Sequence, residues 1–255
     1  MRDMNRDSYL ILGASSDIGM ACIREIAKKY RDTNMEKPLI LAHYCNSREA
    51  LQNLQKELPE VDFLFLQGDL RKEDSVTDLI VKVQEAVTTP KYLLHFPAMK
   101  FSYMRYKELD NAYIKEQLDL QLFSFLSISA KFFPTMKKIE GSRVVVMLTS
   151  YVAQDLPPKF MTDYIVTKYA LLGAVKAAAA EFGGKNLKVN AVSPLMMDTK
   201  FLAQMDEHIK EMSAVSSPLG RIVSAEEVAP FITRLLGEDC DCNGENVVID
   251  ENCFT

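Results

Sequence analysis

The chain has 255 residues, 30 basic and 35 acidic side chains, a net charge of −5 and only ten glycines. That acidity, with no basic block, argues against a nucleic-acid binder; no apolar run approaches the ~20 residues of a membrane span; and a chain of this size needs no disulfide or metal to hold its core. The five cysteines, at 22, 45, 240, 242 and 253, are odd in number and scattered, which points to reduced thiols in a cytoplasm. The polar start MRDMNRDSY runs straight into a strand and has no signal-peptide pattern.

Apolar strand-like runs alternate with amphipathic helical stretches. Residues 9–12 (YLIL) form the first strand and 18–30 a helix, with Ile18, Cys22, Ile26 and Ala27 on one face. Strand 38–43 (PLILAH) leads to helix 47–58, with Ser47 as N-cap; strand 63–67 (FLFLQ) leads to helix 73–87. Strand 92–96 precedes one long apolar helix over 112–136. Strand 143–149 (RVVVMLT), helix 164–182 and strand 187–192 follow. A helix over 224–236 opens with a capping box, Ser224 with Glu227, and 246–249 is the last strand. Near-continuous apolar strands joined by helical crossovers imply a parallel sheet covered on both faces. The fold class is therefore α/β: one doubly wound domain over 1–255, with seven strands and helices on both faces. In such sheets ligands bind beyond the carboxyl ends of the strands, where the strand order reverses.

Directly after the first strand comes Gly13-Ala14-Ser15-Ser16-Asp17-Ile18-Gly19. A turn of small residues entering a helix offers free N–H groups and the positive end of the helix dipole, which suit a pyrophosphate. Gly13 allows the tight turn, Ser15 and Ser16 offer hydroxyls, and Gly19 lets helix and strand approach. Ser150 ends the fifth strand, while Tyr164 and Lys168, four apart, share a helix face. A cation beside a phenol lowers its pKa and readies it to exchange a proton with a carbonyl oxygen, which a serine hydroxyl can hold. Taken alone, Tyr-x-x-x-Lys also describes an ordinary surface pair; its position gives it weight.

Over almost its whole length the chain resembles a compact short-chain dehydrogenase/reductase, most of all the 3-oxoacyl-carrier-protein reductases. GASSDIG, Asp69-Leu70, TSY…DYIVTK, KVNAVSP and PLGRIVSAEEVA carry the resemblance. It implies a seven-stranded Rossmann sheet, Tyr164 as acid/base, Ser150 polarising the carbonyl, and Lys168 binding the nicotinamide ribose. Asp69 and Leu70 would meet the adenine, and the Pro97-Ala98 backbone would support the cofactor. Pro194, Met196 and Thr199 would meet the carboxamide. The chain departs from the family at four glycine positions, which carry Asp17, Ala98, Leu195 and Glu251-Asn252. After strand four, His95-Phe96-Pro97-Ala98 stands for Asn-Asn-Ala-Gly, and packing at a strand end is the favoured role for His95. The relay asparagine of the long helix aligns with Asp119, with Gln121 as the alternative.

No carboxylate ends the second strand, where His43-Tyr44-Cys45-Asn46-Ser47-Arg48 stands. Asn46, Ser47 and Arg48 suit a 2′-phosphate, Arg48 through charge-assisted hydrogen bonds, unless it is only a solvated first-turn residue. NADP(H) is therefore favoured over NAD(H), and reduction over oxidation. A substrate loop spans about 195–219, with Met196, Met197, Met205 and Met212 either lining an acyl site or packing a lid helix. Lys137 and Lys138, at the end of the long helix, either offer a contact for an acidic carrier protein or only complement the helix dipole. Cys240-Asp241-Cys242 lacks a second ligand pair, so no metal is expected. The family implies a homodimer or homotetramer. Three readings follow: a 3-oxoacyl thioester reductase, a reductase of a sugar or small ketone, and a weakly catalytic NADP(H)-binding protein.

Overall fold

The computed structural model describes residues 6–31, 35–100, 103–200, 202, 214, 215, 217 and 219–254. The apolar runs become β1 (Ser8–Leu12), β2 (Leu39–Tyr44), β3 (Asp62–Gln67), β4 (Tyr92–His95), β5 (Ser142–Met147) and β6 (Leu187–Pro194). A two-residue ladder, unforeseen in the sequence, pairs β7 (Met197–Asp198) with β8 (Val223–Ser224). The last strand is β9 (Asn246–Ile249). Between them lie α1 (Asp17–Tyr30), α2 (Arg48–Glu57), α3 (Glu73–Val87), α4 (Asn111–Leu118), α5 (Ser124–Met136), α6 (Thr162–Phe182) and α7 (Ala225–Arg234).

The main sheet is seven-stranded and wholly parallel, in the order β3-β2-β1-β4-β5-β6-β9. Alternation along β1 shows why both faces are covered. Tyr9 and Ile11 enter a core with α1, α2 and α7, whereas Leu10 and Leu12 enter a second core with α3, α5 and α6. The fold is therefore the doubly wound Rossmann type that the sequence implied. Burial on both faces fails at β3, which is the sheet edge and leaves Leu64 36% exposed. At the amino ends of the strands, Tyr9 stacks on Tyr92 with ring centroids 4.3 Å apart. Strand order reverses between β1 and β4, where Leu12 stands opposite His95.

The long helix expected over 112–136 is interrupted. A single π turn, Asp119–Phe123, separates α4 from α5. Ser124 Oγ donates to Leu120 O at 2.5 Å, a back-bond that bends helices. The capping box of α7 forms as expected: Glu227 N donates to Ser224 Oγ at 3.2 Å and Ser224 N to Glu227 Oε2 at 2.9 Å. Ser47 stands at the N-cap of α2 but makes no capping hydrogen bond.

Candidate active site

A cleft of about 570 Å³ opens over the carboxyl ends of β1, β4 and β5. Its floor begins at Gly13, whose φ of +75° is the left-handed region glycine adopts without strain. Ser16 caps α1: Gly19 N donates to its Oγ at 3.1 Å, and the same hydroxyl donates to Gly13 O at 2.7 Å. A Cβ on Gly19 would lie 2.6 Å from Gly13 O, so this close approach requires glycine. Gly13, Ser15, Ser16, Asp17 and Ile18 face the cleft, and Gly19 lies beneath them.

Asp17 replaces a glycine without strain, because it is the first residue of α1 and its φ is not positive. Its carboxylate accepts from Lys200 N at 2.7 Å and lies 3.8 Å from Lys200 Nζ. The negative charge is thus held by the segment after β7, at a helix N-terminus that favours an acid.

His43, near the end of β2, supports this floor. Gly13 N donates to its Nδ1 at 3.2 Å, and its Nε2 donates to Gly68 O at 3.0 Å. Burial pushes its pKa down to about 4, so the ring is neutral at pH 7. Asp69 and Leu70 line the cleft, as does Arg71, which holds the Asp69 carboxylate through two nitrogens at 3.0 and 2.9 Å. That hydrogen-bonded pairing keeps Asp69 below the usual carboxylate range. Asn46 and Ser47 line the wall at the end of β2, together with Cys45. Arg48 does not: it is exposed in the first turn of α2, outside the cleft.

Ser150 follows β5 as the first residue of a short 3-10 turn, Ser150–Ala153. It shares the cleft with Tyr164 and Lys168, which face each other one turn apart on α6. Lys168 is fully buried; its Nζ donates to Met147 O at 3.1 Å and stands 5.5 Å from the Tyr164 ring centroid. Burial drives the lysine down to about 7. It also raises the Tyr164 phenol above its ordinary value, against the lowering effect of a hydrogen bond with Thr149. The expected lowering of the phenol by its lysine is not seen: desolvation dominates, and the opposing contribution comes from Thr149. Tyr164 is a protonated acid at neutral pH.

The two candidates for the relay position, Asp119 and Gln121, are placed differently. Asp119 points outward and pairs with Lys115 Nζ at 2.6 Å; it does not line the cleft. Gln121 is fully buried, as is Gln117, and it too is absent from the cleft lining. The π turn inserts one residue into the helical phase, so a 3.6-residue reading loses register there. Gln121 Nε2 donates to Gln117 Oε1 at 2.7 Å, and Gln117 Nε2 to Lys100 O at 3.1 Å. His95 Nε2 donates to Gln121 O at 2.9 Å, and its ring meets Phe125 edge-on at 5.4 Å.

Pro97 and Ala98 line the wall after β4; Pro194, Leu195, Met196 and Thr199 line the wall after β6. Much of the expected substrate loop, including Met205 and Met212, lies outside the described residues. Cys240 and Cys242 bring their Sγ atoms within 2.8 Å, but among the described residues no group of three metal-ligating side chains forms.

The cradle fits a dinucleotide. Gly13 takes a positive φ, Gly19 sits where a Cβ would collide, the helix N-terminus faces the cleft, and a neutral histidine braces the turn from below. Sheet topology and cleft together define an enzyme of the dinucleotide-dependent oxidoreductase class. The family described as enoyl-(acyl carrier protein) reductase matches residues 13–251. The chain belongs to the short-chain dehydrogenase/reductase family of NAD(P)-dependent oxidoreductases. Among its relatives, an oxidoreductase of Bacillus subtilis, YmfI, is 27% identical over 92% of this chain and 93% of its own. The 3-oxoacyl-[acyl-carrier-protein] reductase FabG of Thermotoga maritima is 27% identical over 94% of this chain and 95% of its own. A dehydrogenase/reductase of Sinorhizobium meliloti superposes with a TM-score of 0.82 at 18% identity, covering 98% of this chain and 95% of that one.

Proposed function

We propose that this protein is an NADPH-dependent reductase of a 3-oxoacyl thioester presented on an acyl carrier protein. The observation that carries the reading is the meeting of Ser150, Tyr164 and Lys168 in one cleft beside the glycine turn. When bound there, the nicotinamide supplies the hydride. Ser150 Oγ donates a hydrogen bond to the substrate carbonyl oxygen and holds it still. The Tyr164 hydroxyl, protonated at neutral pH, gives its proton to that oxygen as negative charge develops on it. Lys168, behind the phenol ring, stabilises the resulting phenolate and holds the ribose.

The wall at the end of β2 supports NADPH over NADH. Cys45, Asn46 and Ser47 stand where a carboxylate would accept ribose hydroxyls. The carboxylate after β3, Asp69, is already occupied by Arg71. Apolar groups on the substrate side, Leu120, Tyr151, Met196 and Leu202, suit an acyl chain, and the name of the Thermotoga relative agrees. We assign residues 1–255 to one domain acting in the cytoplasm as a homo-oligomer. Phe123 and Leu126, with Val166 and Tyr169 of α6, are exposed apolar side chains suited to an interface.

Tyr164→Phe is the decisive variant. It should lower kcat for a short 3-oxoacyl thioester by about 10²–10⁴. It should keep the rise in Tm on adding NADPH, since a ligand at 100 times its Kd adds about 2.7 kcal/mol. Full activity in this variant overturns the tyrosine mechanism. Absence of a shift with either NADPH or NADH in the wild type overturns the reductase reading altogether.

A further inference from the structure

His95 is a buried titratable side chain to which the reaction above gives no part. It ends β4, is 0% exposed, and does not line the cleft. Its direction follows from the strand. Leu93, two residues earlier, enters the core that holds Leu171 of α6 and Phe125 of α5, and a side chain at 95 points to the same face. The edge-on contact with Phe125 fixes that placement. In register, His95 stands opposite Val146, next to Met147, whose carbonyl accepts from Lys168 Nζ. The imidazole and the ammonium thus sit on one face of the sheet, beside adjoining residues of β5.

The hydrogen bond to Gln121 decides the tautomer. A carbonyl oxygen only accepts, so His95 Nε2 carries the proton. Nδ1 is then a bare acceptor. It is fully buried and finds no hydrogen-bond partner among the described residues; Gln121 Oε1, in the same cluster, is a second such acceptor. Lys168 has the complementary surplus. Its Nζ has several N–H bonds, of which Met147 O takes one. Buried acceptors left bare cost about 1–3 kcal/mol each, and a buried water with two or more polar partners removes that cost.

We propose that His95 is a positioning residue for Lys168, its Nδ1 and the lysine Nζ joined by one bridging water. The water donates one hydrogen to Nδ1 and accepts one from Nζ. Met147 O and this water then fix the ammonium behind the Tyr164 ring, and Gln121 O holds the imidazole in the required tautomer. Burial first, then the Lys168 ammonium, which disfavours a second positive charge, and His43, on the same sheet face two strands away, lower the His95 pKa to about 3, so the ring is neutral at pH 7. The functional meaning rests on the proposed role of Lys168, but the water bridge itself does not.

The test uses the full chain without substrate. High-resolution crystals of the wild type should show a water within hydrogen-bond distance of both His95 Nδ1 and Lys168 Nζ. Long-range ¹⁵N–¹H spectra of protein labelled in its three histidines should show His95 neutral, with its proton on Nε2. His95→Phe should lose that water and reorient the lysine. In a reductase assay, His95→Phe should lower kcat more than it raises the KM for NADPH. A proton on Nδ1, or a dry contact between the two side chains, overturns the proposal even if His95→Phe fails to fold. If the protein reduces no carbonyl, crystals and spectra still decide the bridge.

Discussion

Folding moves the ammonium of Lys168 from its ordinary 10.5 to about 7, because burial penalises the charged form. In the unfolded chain the same lysine keeps its proton up to about pH 10.5. Between these values the unfolded state binds more protons, so stability rises with pH across that window. Lys168→Met removes this contribution. Urea unfolding from pH 7 to 9 should show the wild type gaining stability relative to the variant; parallel curves would refute the burial argument. Asp119 and Gln121 make a sharper pair. Asp119→Asn should change stability by less than about 0.5 kcal/mol, since its lysine partner is 71% exposed. Gln121→Leu strands Gln117 Oε1 and should cost about 1–3 kcal/mol, read as a fall in the urea midpoint. Ser150, Tyr164 and Lys168 were legible in the sequence because their spacing and strand-end position are local facts. Gln121 stood in the sequence only as the alternative to Asp119, because its inward direction depends on a π turn that no 3.6-residue pattern contains. His43 was missed for another reason: its partners, Gly13 and Gly68, lie 30 and 25 residues away.

At the scale of elements, the turn into α1 is the part with least tolerance. Gly19→Ala places a Cβ 2.6 Å from Gly13 O and 2.8 Å from Ala14 O, both backbone atoms that cannot rotate away. The variant should lose about 1–3 kcal/mol of stability and bind NADPH more weakly, both readable in one thermal titration. An unchanged Tm would show that the turn has slack. Asp17, by contrast, caused no distortion where a glycine was expected, since only the first helical turn had to accept it. Strand and helix identities were readable from periodicity, and ends moved by a residue or two. The errors are those of context. The apolar run of β3 reads as doubly buried, yet its place at the sheet edge exposes Leu64. The uninterrupted apolarity of 112–136 conceals a break that a serine back-bond creates.

For the molecule as a whole, the alternation of strands and helices was enough to give a doubly wound sheet with its site at the switch in strand order. Strand order has a further consequence for how the chain folds. β1, made before its neighbours, becomes an interior strand of the sheet, with β2 on one side and β4 on the other. Ser8 Oγ accepts from Lys91 N, a contact 83 residues apart in sequence. A nascent chain can pair β1 with β2 early, but the opposite edge of β1 stays bare until β4 has been made. High contact order of this kind slows folding, and an unpaired apolar edge invites association in the interval. The cleft opens beyond that same seam. The site therefore forms only after this long-range pairing, and chains that end before β4 have no cradle in which to hold a nucleotide.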